Sequence, residues 1–137
     1  MEKKDEVIVT VKQLIIRGEG KLTSAQILLE KDRIDDAISR AYYAAFLAAR
    51  ALLHLLGISP KTRQGIITMF GLKVVKEGLL PSTIGRALNE LFEARQTSDY
   101  AVVVFYTKED GVHFVKEANE IINGIKNVIR DKFRLEI

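Results

Sequence analysis

Cysteine is absent from this chain of 137 residues, and that absence alone excludes disulfides, thiolate metal sites and a cysteine nucleophile. It is compatible with a reducing compartment. Long apolar runs are missing as well: the longest, Ala41 to Ala49, is nine residues, about half of a membrane span. Met1 to Glu6 mixes charges of both signs instead of leading into an apolar region. These features predict a soluble, cytoplasmic protein with no secretory leader and no membrane association.

The usual linear signatures of catalysis are also lacking. No Gly-x-x-x-x-Gly-Lys loop and no His-Glu-x-x-His occurs, and no strand pattern offers a mount for a dinucleotide. A carboxylate di-iron bundle needs Glu-x-x-His pairs, yet neither His54 nor His113 has a glutamate three residues before it. The chain is therefore not expected to be a kinase or a nucleotidyltransferase itself. No metal or cofactor is expected either, and each histidine is expected to be structural or solvated.

What is present is a modest excess of positive charge, 21 Lys and Arg against 18 Asp and Glu. It is unevenly spread: Ile58 to Leu88 carries Lys61, Arg63, Lys73, Lys76 and Arg86 against Glu77 alone. Such a stretch fits a phosphate backbone or a solvated helix surface equally well.

Helical periodicity accounts for nearly the whole chain. Val7, Val11, Leu14, Gly18, Leu22, Ala25 and Leu28 or Leu29 keep helical spacing through Gly18-Glu-Gly20, predicting one long, bent helix ending near Lys31. A second helix should start with Asp35 as N-cap and stop at Gly57. Its middle is apolar nearly all round and rich in alanine, which places it at the centre of the fold. Ser39, Tyr43, Arg50 and His54 form its only polar line. Tyr42 and Tyr43 read as core or interface side chains whose hydroxyls reach a polar neighbour, with base stacking the alternative.

Two prolines, Pro60 and Pro81, sit where helices should begin. Ser59-Pro60 predicts the start of a third helix with a buried face of Ile66 or Ile67, Phe70 and Val74, kinked at Gly71 and ended by Gly78. A fourth begins around Pro81 or Ser82. The β-branched run after Asp99 predicts an extended connection over residues 100–107. Thr107 and Asp110 then make a capping arrangement for a last helix lined by Phe114, Ala118, Ile121, Ile125, Val128 and Ile129. The expected fold is all-α, a single antiparallel up-and-down bundle of about five helices spanning residues 1–137, with 1–4 and 131–137 frayed.

One residue breaks the pattern of the fourth helix. Its inward positions read Ile84, Leu88, Leu91, Arg95, Ser98 and Val102, so a guanidinium occupies an apolar face. A charge there is costly unless paired, and Asp99, four residues on, is the local candidate. Arg95 either braces the structure or marks a site.

Three strings then resemble one family in order and spacing: Ala37-Ile-Ser-Arg-Ala-Tyr-Tyr-Ala-Ala-Phe46, Lys61-Thr-Arg-Gln-Gly-Ile66 with Phe70, and Arg95-Gln-Thr-Ser-Asp-Tyr100. They resemble the small prokaryotic HEPN-domain proteins, with a likeness running from about Ala25 to Val128. The resemblance implies an all-α bundle, commonly a homodimer, often encoded beside a minimal nucleotidyltransferase with which it forms a toxin and antitoxin pair. Many such proteins cleave RNA without metal, using an arginine and a histidine with four to six residues between them. Arg95 matches that arginine, but the histidine positions hold Tyr100, Ala101 and Val102. The tyrosine that some relatives carry for modification by the partner enzyme is also replaced, here by Val102. A phenol with a pKa near 10 is a poor base at neutral pH, which should cost about 10² to 10⁴ in rate.

Three readings follow from residues and resemblance together. In the first, the chain is a dimeric nucleotide- or RNA-binding module that acts with a separate nucleotidyltransferase and lacks efficient ribonuclease activity. Arg95 would grip phosphate, Asp99 orient it, and Tyr100 stack, with Arg40, Tyr43, Lys61 and Arg63 as flanking ligand contacts. The second is a weak metal-independent endoribonuclease with Arg95 and Tyr100 as catalytic groups. In the third, the Arg95 and Asp99 pair is a buried brace in an oligomerisation or partner scaffold.

Overall fold

The computed structural model describes the backbone of residues 2–100 and 105–137, and the side chains of residues 3–97 and 105–137. Five α-helices follow one another: α1 (Glu2–Glu30), α2 (Ile34–Leu55), α3 (Arg63–Phe70), α4 (Ser82–Tyr100) and α5 (Lys108–Phe133). No strand occurs among the described residues, so the chain is an all-α helical bundle.

Alanine decides what sits in the middle. Ala41, Ala44, Ala45, Ala48, Ala49 and Ala51 of α2 are all fully buried, and small side chains let helices approach on several sides at once. Accordingly α2 packs against α1, α3, α4 and α5. Helix α1 stays unbroken through its two glycines. At Gly18 the reason is contact: a Cβ there would lie 3.0 Å from the Ala44 carbonyl oxygen of α2. The crossing of α1 over α2 therefore needs a residue without a side chain.

Helix starts deviate from expectation where backbone or side-chain bonds are made elsewhere. Helix α2 begins at Ile34 with Arg33, not Asp35, in the capping position, and no side chain caps it. The turn before it is closed by backbone bonds from Arg33 N to Leu28 O (2.9 Å) and Asp32 N to Leu29 O (3.1 Å), and the Arg33 carbonyl accepts from Ala37 N. The backbone itself sets the first turn, and Asp35 and Asp36 lie inside it near the positive end of the helix dipole. Helix α3 starts after Thr62 instead of Ser59-Pro60, because Thr62 Oγ1 accepts from Gly65 N at 2.9 Å while Ser59 Oγ pairs with His54 Nδ1 at 3.0 Å.

Gly71 opens a π-helical turn, Gly71–Val75, closed by Lys76 N donating to Gly71 O, so the distortion expected at this glycine is present. Gly78 follows with φ +81°. Helix α4 continues through Tyr100, one residue into the stretch expected to be extended, and residues 101–104 lie outside the described residues. Thr107 and Asp110 form a reciprocal capping box at the start of α5. That helix runs to Phe133, and beyond it Leu135 and Ile137 are packed partly buried against the core. Among the described residues, no helix is long and apolar enough to cross a membrane.

Candidate functional site

Ser39 and Tyr43 are one helical turn apart on α2, so both face the same way. Opposite them, α4 presents Arg95, partly buried. Its Nη1 donates to Ser39 Oγ and its Nη2 to the Tyr43 hydroxyl at 3.1 Å. Arg63, the first residue of α3, reaches the same hydroxyl, with Nη2 at 3.0 Å. Two guanidiniums thus converge on one phenol. Both also lie over its ring, Arg95 Cζ at 4.8 Å and Arg63 Cζ at 5.4 Å from the centroid. Each such contact contributes about 0.5–1 kcal/mol at exposed sites.

Tyr43 is held in this position from behind. Tyr42 is fully buried and meets it edge to face, with centroids 5.3 Å apart, while Phe46 and Phe92 pack against the Tyr42 ring. The Thr62 cap fixes where α3 begins and so where Arg63 projects.

Two clefts flank this cluster. One, of about 430 Å³, is lined by Leu28, Asp36, Ser39, Arg40, Tyr43 and Arg95. The other, of about 440 Å³, lies between α1, α2 and the start of α3, where Arg50, His54, Lys61 and Arg63 gather with the hydroxyls of Thr10, Ser59 and Thr62. Both volumes suit a small ligand. Among the described residues no carboxylate lines the second cleft, whereas Asp36 lines the first.

Of the residues predicted from sequence, the structure brings Arg95, Tyr43, Arg40 and Arg63 together around one phenol and its cleft, and sets Lys61 in the neighbouring one. The side chains of Asp99 and Tyr100 lie outside the described residues. Ser39, Arg50 and His54 were not among the predicted site residues, although all three stand on the polar line of α2. That line was the available signal. What it did not show was which helix would bring cations to it.

A Methanocaldococcus jannaschii protein named as a putative toxin is 35% identical over 121 residues, covering 88% of this chain and 90% of that one. A UPF0332 protein of Thermotoga maritima is 31% identical over 115 residues, 84% of this chain and 87% of that one. A second toxin-named protein of M. jannaschii is 29% identical over 122 residues, 89% and 83% of the two chains. The HEPN domain model matches residues 11–128, most of all five helices, and on that match the chain belongs to the HEPN domain family.

Proposed function

We propose that this HEPN chain is a nucleotide- or RNA-binding module that works as a homodimer beside a separate minimal nucleotidyltransferase, in a toxin and antitoxin arrangement, without efficient ribonuclease activity. The observation that carries the binding reading is the pair of guanidiniums, Arg95 and Arg63, gathered at Tyr43 between two clefts. Their planar forks suit phosphate oxygens, and a phosphate can take the place of the phenol as acceptor. Two relatives bear toxin names, which favours the toxin-like setting. The lack of efficient ribonuclease activity rests on sequence: none of Tyr100, Ala101 and Val102 supplies the imidazole that would move a proton at neutral pH.

Isothermal titration with nucleotides and a short single-stranded RNA tests the binding reading. Wild type should bind, and Arg95→Ala and Arg63→Ala should each weaken binding at least tenfold. Absence of binding by wild type, or equal affinity in both variants, would remove it. RNA incubated with the protein should be recovered intact.

One observation also favours the brace reading: Arg95 ties α4 to α2 through Ser39 and Tyr43. If bracing is its whole role, Arg95→Ala lowers the melting temperature and leaves titrations of the still-folded variant unchanged.

A further inference from the structure

A second cluster forms between α4 and α5. His113 and Glu117 are one turn apart on α5 and face Glu90 of α4. His113 Nε2 lies 3.2 Å from Glu90 Oε2 and 3.3 Å from Glu117 Oε1. One ligand atom from each of the three residues lies within 4.8 Å of the others.

These spacings are informative. A tetrahedral zinc with bonds of about 2.0–2.1 Å has ligand atoms roughly 3.3 Å apart along each edge, which is the separation of the imidazole nitrogen from both carboxylates. A single proton on Nε2 cannot serve two acceptors with good geometry. In keeping with this, Glu117 Oε1 is fully buried and lacks a well-directed hydrogen bond among the described residues. The Glu117 side chain is 12% exposed, against 50% for Glu90 and 55% for His113, so the cluster is walled on one side and open to solvent on the other. That is how three protein ligands leave a fourth position for water.

The surroundings also suit a cation. Phe114 meets the His113 ring at 5.2 Å and restrains it, and Tyr106 packs on Phe114.

We propose that Glu90, His113 and Glu117 form a binding site for one divalent transition-metal ion, such as zinc, that pins α4 onto α5. Two carboxylates neutralise the ion and a neutral imidazole completes the protein ligands. The nitrogen ligand and the small number of oxygens favour a borderline metal over magnesium or calcium, which take more oxygen ligands. Arg95 lies five residues beyond Glu90 on the same helix, so the ion would hold the segment that carries the Tyr43 contact.

The test uses untagged full-length protein freed of metal by chelation. Titration with zinc chloride should give about one ion per chain and raise the melting temperature. Cobalt(II) should develop a visible d–d band. Glu117→Gln, which is isosteric with the neutral acid and so expected to fold, and His113→Ala should each bind zinc at least tenfold more weakly and lose the cobalt band. Magnesium at the same concentration should leave the melting temperature unchanged. Failure of wild type to bind zinc, equal zinc affinity in both variants, or an equal response to magnesium would each overturn the proposal. Because the readouts are metal binding and stability, none depends on whether the Arg95 cluster binds nucleotides.

Discussion

Tyr43 does two things with one side chain. Its ring lies under two guanidiniums and its hydroxyl accepts from both, at 3.0 and 3.1 Å. Tyr43→Phe separates the two roles, keeping the ring and removing the acceptor. Thermal or urea unfolding should show a loss of about 1–3 kcal/mol, since both donors are charged guanidiniums. Arg95→Lys should not restore what Arg95→Ala loses, since an ammonium cannot span Ser39 and Tyr43 together as a planar fork does. Glu117 carries the main pH dependence visible at this scale. Its carboxyl is raised to about 8 by burial first and by the hydrogen bond and charge of Glu90 second, from an ordinary value of 4.5. The folded state therefore binds more protons than the unfolded one between those values, so metal-free protein should lose stability as pH rises from about 5 to about 8. The ceiling on this loss is about 5 kcal/mol. Glu90, whose own carboxyl is lowered by the hydrogen bond to Glu117 and then by His113, contributes stability that is lost only as pH falls below its ordinary value of 4.5, outside this range. Urea titrations across this range should show the decline in wild type, and Glu117→Gln should flatten it.

At the scale of single helices, glycine and caps make the testable differences. Gly18 and Gly20 are both inside α1, but a Cβ at Gly20 would meet nothing within 4 Å whereas one at Gly18 would press on the Ala44 carbonyl. Gly20→Ala should therefore stabilise the protein by about 0.5–1 kcal/mol through helix propensity, and Gly18→Val should destabilise it by about 1–3 kcal/mol through overpacking. Melting temperatures moving in the same direction for both would contradict this account of the α1 and α2 crossing. Thr107→Ala should cost about 1 kcal/mol by removing the cap of α5. That cap was legible in the sequence because both partners are three residues apart. The start of α2 was not, because the turn before it is closed by backbone bonds from Arg33 and Asp32 back to α1, which no side chain announces. Likewise Ser59 looked like the cap of α3 until its hydroxyl was found beside His54.

For the whole molecule, Arg63 of one cleft donates to Tyr43 of the other, so an oligonucleotide bound across both would run past Arg95, Arg63 and Lys61 or Arg50. Each phosphate neutralised contributes close to one unit to the salt dependence of affinity, about 0.7 for a single strand. RNA affinity should therefore fall with salt with a slope of about −2, and Arg63→Ala should reduce that slope by somewhat under one unit. A salt-independent affinity would argue against phosphate contacts at these residues. Homodimerisation is tested directly by sedimentation of the wild-type chain.

The number and order of helices, the centrality of α2, the break in regular α-helix at Gly71 and the capping of α5 were written in local pattern, since periodicity, alanine content and cap spacing act over a few residues at a time. Arg95 was equally visible as a charge on an apolar face. Its partners were not, because Ser39 and Tyr43 precede it by 56 and 52 residues and Arg63 meets Tyr43 across 20. The same holds for Glu90, which reaches His113 across 23 residues and leaves no linear metal motif to read. Which polar groups share a site depends on how helices pack, and that is set by the sum of many apolar contacts rather than by the few residues that the packing brings together.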